Sequence, residues 1–173
     1  RYNIPLTVHR IWAQQEAKQA GQSVETFSRQ RRYQLLTALA GQQGRVATAH
    51  NLNDNAETVL FYLARGTGLN GLGGIPPVRG QIIRPLIGCT REQIEQFCGE
   101  NGLDFIHDSS NDSDQYTRNR IRHHLLPQMQ QLNGGFLQNI AELCDTARTD
   151  QQFLQQLAPV SYTHLRAHET RSN

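Results

Sequence analysis

Apolar residues recur along this chain in two rhythms. Residues 4–9, IPLTVH, alternate apolar and polar side chains, as a half-buried strand does. Ser23 is suited to cap a helix running to about Gly41, with Val24, Phe27, Tyr33, Leu35, Leu36 and Leu39 on its apolar side. Residues 45–49, RVATA, read as a short buried strand. The stretch 54–65 repeats apolar positions at helical spacing through Val59, Leu60 and Leu63, and Gly66 stops it. GTGLNGLGGIPP, residues 66–77, is too rich in Gly and Pro for regular structure. Residues 81–85 form a further strand candidate. Thr90 then caps a helix, with Gln93 completing a capping box and Gly102 ending it. A short strand is expected at 104–106, then a polar loop, HDSSNDSDQY. A helix follows from about 117 to 126, where Pro127 breaks it, and a last helix runs from about 136 toward 157.

Strand alternating with helix argues for an α/β chain with parallel strands, followed by a mostly helical region. In such sheets ligands sit beyond the carboxyl ends of the strands. RVATA runs directly into HNLNDNAET, residues 50–58, so this polar stretch stands at the favoured edge. A D-x-x-E capping box of Asp54 and Glu57 accounts for two of its residues. His50, Asn51, Asn53 and Asn55 are left over, more polar groups than a connector needs. Carboxylates at i and i+3 share a helix face and suit a cationic group or a magnesium ion.

Two other stretches carry charge in a pattern. In HDSSNDSDQYTRNRIRHH, residues 107–124, Arg118 and Arg122 lie four apart on one face, with Asn119 between them and an Asp/Ser/Asn loop before them. Guanidinium forks beside acceptors suit a phosphate-bearing substrate; the plainer reading is a solvated basic helix. His123 and His124 have no third ligand at metal spacing, so no metal site is assigned. In ETFSRQRRYQLL, Arg29 and Arg32 face one way beside Tyr33, as an ordinary amphipathic helix also allows. GTGLNG, residues 66–71, matches G-x-G-x-x-G letter for letter but follows a helix and runs into GGIPP, the reverse of a dinucleotide site.

Composition narrows the classes. The chain has 173 residues and a formal net charge of +2, which neither requires nor excludes a polyanionic partner. Mean hydropathy is −0.60, and no run approaches the roughly 20 apolar residues of a membrane span. Cys89, Cys98 and Cys144 are scattered without CxxC spacing and read as reduced thiols of a cytoplasmic protein. Residues 159–173 change character abruptly and are expected to be a non-native tail.

In order and spacing, these motifs resemble the tRNA(Ile)-lysidine synthetase family of the PP-loop ATP-pyrophosphatase superfamily. That pattern reads HHxDDQxET, RGxGxxGLxG, RPL, an Arg-initiated helix ending in GL, DxSN, and RNxIR followed by LLP. This chain has HNLNDNAET, RGTGLNGLGG, RPL at 84–86, REQIEQFCGENGL, DSSN at 108–111 and RNRIRHHLLP at 118–127. ETFSRQRRY is similar to the family's E-x-x-A-R-x-x-R-Y helix. Asn51, Asn53 and Asn55 depart from the pattern, while Asp54, Glu57 and Thr58 keep it.

The resemblance implies a partial doubly wound, adenine-nucleotide α-hydrolase-like sheet over residues 1–127, with 128–158 a helical linker or the start of a further region. It implies ATP and Mg2+ as cofactors, and as partners a tRNA(Ile) with an anticodon cytidine and free L-lysine; a homodimer is compatible with it. ATP adenylates the cytidine C2 oxygen, and the lysine side-chain amine displaces AMP. Asp54 and Glu57 are then the catalytic carboxylates. Arg29, Arg32, Asp108, Asn111, Arg118, Asn119 and Arg122 bind substrate, and His50 and Asn51 lie at the nucleotide. The family's SGGxDS loop is not among these residues. The expectation is a fragment with that loop upstream, unable to turn over ATP alone. Alternatives are a related PP-loop tRNA thiolase, against which the missing CxxC pairs argue, and a non-catalytic tRNA-binding fragment. The ligase reading requires the acidic pair and the arginine helix to converge on one cleft.

Overall fold

The structure is a computed structural model that describes residues 5–105 and 117–169, with side chains to residue 157. Its helices are α1 (Ala13–Gln19), α2 (Val24–Ala40), α3 (Leu52–Leu63), α4 (Leu69–Leu72), α5 (Arg91–Glu100), α6 (Thr117–Arg120), α7 (Leu126–Leu132) and α8 (Phe136–Glu169). A π-helical turn (Ile121–Leu125) joins α6 to α7. The strands β1 (Val46–Ala47), β2 (Val78–Arg79) and β3 (Ile82–Ile83) form one small sheet in the order β1-β3-β2. The chain is therefore mixed α/β. As expected, β1 and β3 pair in parallel, Val46 opposite Ile82 and Ala47 opposite Ile83.

Two compact units make up the chain. The first comprises Arg1–Ala47 and Gly80–Ile83. Its main helix, α2, begins as the sequence indicates: the extended Ser23 accepts a hydrogen bond from the Thr26 amide, and Gly41 ends the helix at φ 67°. None of its residues is buried, so the apolar side read from the sequence stays largely uncovered within this unit. Helix α1 was not anticipated. The strand expected at 4–9 does not form over the described residues 5–9. Leu6 and Val8 are 87 % and 75 % exposed, and alternation alone makes no strand without a neighbour to take its backbone hydrogen bonds.

The second unit comprises Thr48–Arg79 and Arg84–Asn173. Its core is one apolar stripe of α3, Leu52, Ala56, Val59 and Leu60, packed with Ile121, Leu126 and the Leu137, Ile140 and Cys144 row of α8. The i, i+4, i+7, i+8 spacing places that stripe on a single face, and each large side chain so buried contributes roughly 1.5–3 kcal/mol.

Five local expectations change. The cap of α3 is Asn51, not Asp54: Asn51 accepts from the Asp54 amide while the Asp54 carboxylate accepts from the Asn51 amide. Asp54 is thus the third helical residue, and Glu57 is released from any capping role. The glycine-rich segment is not wholly irregular, since α4 forms one helical turn inside it. Pro127 does not break its helix. It sits in the first turn of α7, where a missing amide costs little, and the π turn before it carries the chain through. The strand read at 81–85 shrinks to Ile82–Ile83; residues 104–105 form no strand, and Ile106 lies outside the described residues.

Candidate functional site

Asn51 starts α3 in an extended conformation, and the following turn sets the acidic residues. Asp54 and Glu57, three apart, share one face of α3. Opposite them, Arg118 on α6 and Arg122 in the π turn present their guanidiniums. The convergence required above is present. Arg118 Nε donates to Glu57 Oε2 at 2.9 Å. Arg122 donates from Nε to Glu57 Oε1 at 2.6 Å and from Nη2 to Glu57 Oε2 at 3.0 Å. Arg122 Nη2 also reaches Asp54 Oδ1 at 3.2 Å. The Glu57 side chain is 1 % exposed and that of Asp54 20 %.

A carboxylate this dry requires paired charge and satisfied oxygens; both Glu57 oxygens have them. The hydrogen bond to Glu57 raises the Arg122 pKa, burial opposes it, and the charges of Glu57 and Asp54 raise it further. The guanidinium is therefore locked in its charged form.

Beside this network lies a cleft of about 200 Å³ lined by Asn51, Asn53, Asp54, Glu57, Arg91, Arg122, Leu126 and Gln130. Two stitches hold its rim. The Leu52 amide donates to the Cys89 carbonyl at 2.8 Å, and the Arg91 amide donates to Asn53 Oδ1 at 2.9 Å. The start of α5 is thereby tied to the start of α3, with Thr90 and Gln93 forming the anticipated capping box.

The other indicated residues fall as follows. His50 Nδ1 lies 2.9 Å from Thr48 Oγ1, and Asn119 is half-buried on α6. Arg29 and Arg32 are exposed on α2 in the first unit, with Arg29 over the Tyr33 ring at 5.5 Å. Asp108 and Asn111 lie outside the described residues. Asn55 turns away from the cleft and is buried, accepting from the Ile75 amide at 2.7 Å and donating to Cys144 Sγ at 3.4 Å.

Sequence reasoning missed Arg91, Leu126 and Gln130 as cleft residues. Gln130 follows Arg122 and Leu126 at intervals of four, a spacing that carries no weight if the helix ends at Pro127. Arg91 was noted only as a helix start. Chemically, the cleft offers a partly exposed carboxylate, amides and guanidiniums around one apolar side chain. It falls below the roughly 300–1,000 Å³ of pockets that engulf whole ligands, and fits one charged end of a substrate. Among the described residues no cluster of three or more His, Cys, Asp or Glu has metal-binding spacing.

Residues 1–129 match the PP-loop domain family. A Thermosipho africanus protein named tRNA(Ile)-lysidine synthase is 48 % identical over 126 residues, covering 72 % of this chain and 30 % of its own length. A protein of the same name from Bacteroides thetaiotaomicron is 40 % identical over 144 residues, 82 % of this chain and 34 % of its own. One from Bacillus subtilis is 38 % identical over 147 residues, 82 % and 31 %. The chain spans about a third of the length of these curated relatives.

Proposed function

The chain belongs to the PP-loop domain family, and from that premise we propose that the protein it represents is a tRNA(Ile)-lysidine synthase, an ATP-dependent carbon–nitrogen ligase of the cytoplasm that joins free L-lysine to an anticodon cytidine. The observation that carries this reading is the meeting of Glu57 and Asp54 with Arg118 and Arg122 in one ion-pair network beside the cleft. These residues stand where the sequence resembles the HHxDDQxET and RNxIR motifs of the synthases. A doubly wound sheet completing β1 and β3 belongs to the same proposal.

Within the cleft the roles divide by exposure. Glu57, dry and held by both arginines, is the anchor that aims the two guanidiniums. Asp54 is the carboxylate that an incoming lysine ammonium can reach and that can take up its proton. Arg122 and Arg91 border the same space and suit a phosphoryl group, and the solvent-facing Arg29 and Arg32 suit tRNA phosphate. ATP, when bound, supplies the adenylyl group that turns the cytidine oxygen into a leaving group. Magnesium fits the Asp54–Glu57 pair poorly, because arginine donors already engage these oxygens and Mg2+ demands a near-octahedral shell; no step is drawn through it.

The test is Asp54→Asn in the complete gene product, assayed for lysidine with tRNA, ATP and L-lysine. Product formation is expected to drop by about 10²–10⁴-fold, the usual contribution of a positioned proton acceptor, with the fold intact by circular dichroism. Near-normal product removes Asp54 from the site.

A further inference from the structure

The face of α3 that carries Asp54 and Glu57 continues past the cleft. Phe61 follows Glu57 by four residues and Asp54 by seven, so it lies on the same face, about 10 Å from Asp54 along the helix axis. Its ring is half-buried and packs against the core. The helix ends just beyond it. Ala64 is the cap, the Arg65 amide donates to the Tyr62 carbonyl at 3.1 Å, and Gly66, at φ 77°, turns the backbone away. The exposed Arg65 side chain lies over the Phe61 ring, its Cζ 3.9 Å from the centroid. Tyr62 stands beside them, 42 % exposed, its ring 5.9 Å from that of Phe61 and inclined at 70°.

An exposed cation–π pair adds little to stability, and among the described residues Arg65 has no carboxylate partner. With one side against the ring and the residue otherwise exposed, its guanidinium offers a flat surface and N–H donors together. Unpaired RNA bases stack on aromatic rings and on guanidinium planes, and the adjoining phosphate complements an uncompensated cation. An acidic protein segment would use the charge but not the plane or the rings. Single-stranded RNA uses all three.

We propose that Phe61, Tyr62 and Arg65 form a stacking platform for a nucleotide of single-stranded RNA adjoining the one whose base enters the cleft. This deepens, and rests on, the tRNA reading above; it assigns that substrate a second point of contact on α3. Arg65 carries the contact, Phe61 holds it in place, and Tyr62 widens the surface. None of the three touches the reacting atoms, so they act on RNA affinity and leave the handling of the amino acid alone.

The experiment is fluorescence anisotropy of the complete gene product with a labelled anticodon stem-loop RNA bearing the cytidine, either intact or with the bases flanking the cytidine removed. Arg65→Ala is expected to weaken binding of the intact RNA by about 5–150-fold, the range for losing one stacked base. Arg65→Lys, which keeps the charge but not the plane, should lose nearly as much; a contact made through charge alone would leave it near wild type. Should the Ala variant fail to fold, the Lys variant carries the same comparison. Removing the bases should weaken the wild type by a similar factor and the variants little further, because both changes delete one contact. In lysidine assays the variants should raise KM for tRNA and leave KM for L-lysine unchanged. Variants that bind intact RNA like the wild type, losses that simply add, or a wild type that does not bind the RNA overturn the platform. If lysidine still forms in those cases, the synthase reading stands. Base- and Arg65-dependent binding by a gene product that makes no lysidine overturns the synthase reading and keeps the platform.

Discussion

Glu57 is 1 % exposed and, among the described residues, its acceptors are filled by arginine donors. Glu57→Gln leaves two guanidiniums facing each other across a dry space. Removing one partner of a buried ion pair costs about 3–5 kcal/mol; because both arginines keep some water, a loss of about 3 kcal/mol is expected by urea denaturation. Asp54→Asn, at a wetter position, should cost about 1 kcal/mol or less. Cys144 behaves differently. Burial pushes its thiol pKa up, against the hydrogen bond from Asn55 and the charge of Arg148. The folded chain then holds this proton at pH values where the unfolded chain, with an ordinary thiol pKa near 8.5, releases it. The associated stability is full below that pH and is lost as pH rises through the folded value. Urea midpoints between pH 7 and 10 should therefore fall more steeply for the wild type than for Cys144→Ala; parallel curves would show that burial does not hold the proton.

Elements reveal their dependence on backbone at the glycines. Gly66 and Gly74 both have positive φ, 77° and 61°, but of the two only Gly74 is crowded: a Cβ there would collide with Asn55 Oδ1 and lie 3.0 Å from Cys144 Sγ. Gly66→Ala should cost the left-handed penalty alone, about 1–2 kcal/mol. Gly74→Ala adds about 1–3 kcal/mol of overpacking, a difference that paired thermal melts resolve. Local chemistry explains which elements were legible. Ser23 and Thr90 were read correctly because a cap bonds its own third neighbour. The start of α3 was misread by three residues because Asn and Asp cap about equally well; the deciding bond, Leu52 to the Cys89 carbonyl, comes from far along the chain. Pro127 misled because a rule for α-helices does not cover a proline preceded by a π turn, and Gln130 was lost with it.

For the molecule as a whole, the two units differ in how much they bury. Among the described residues, the first has Ala17 and Val46 as its buried apolar side chains, whereas the second contains the α3–α8 core. Hydrogen exchange should follow that difference, with α2 amides exchanging faster than those of α3 under native conditions; equal protection would contradict it. No described helix is long and apolar enough to cross a membrane. The pairing of Glu57 with Arg118 was foreseeable through motif resemblance alone, since no periodicity reaches across 61 positions. The Arg91 amide binds an oxygen of Asn53 that an aspartate would also present, so position 53 can trade amide for acid with the bond intact. Such an exchange adds a full negative charge at the lining of the cleft. The position is therefore a tuning point, at which a single side-chain exchange alters the charge of the cleft while the scaffold stays as it is.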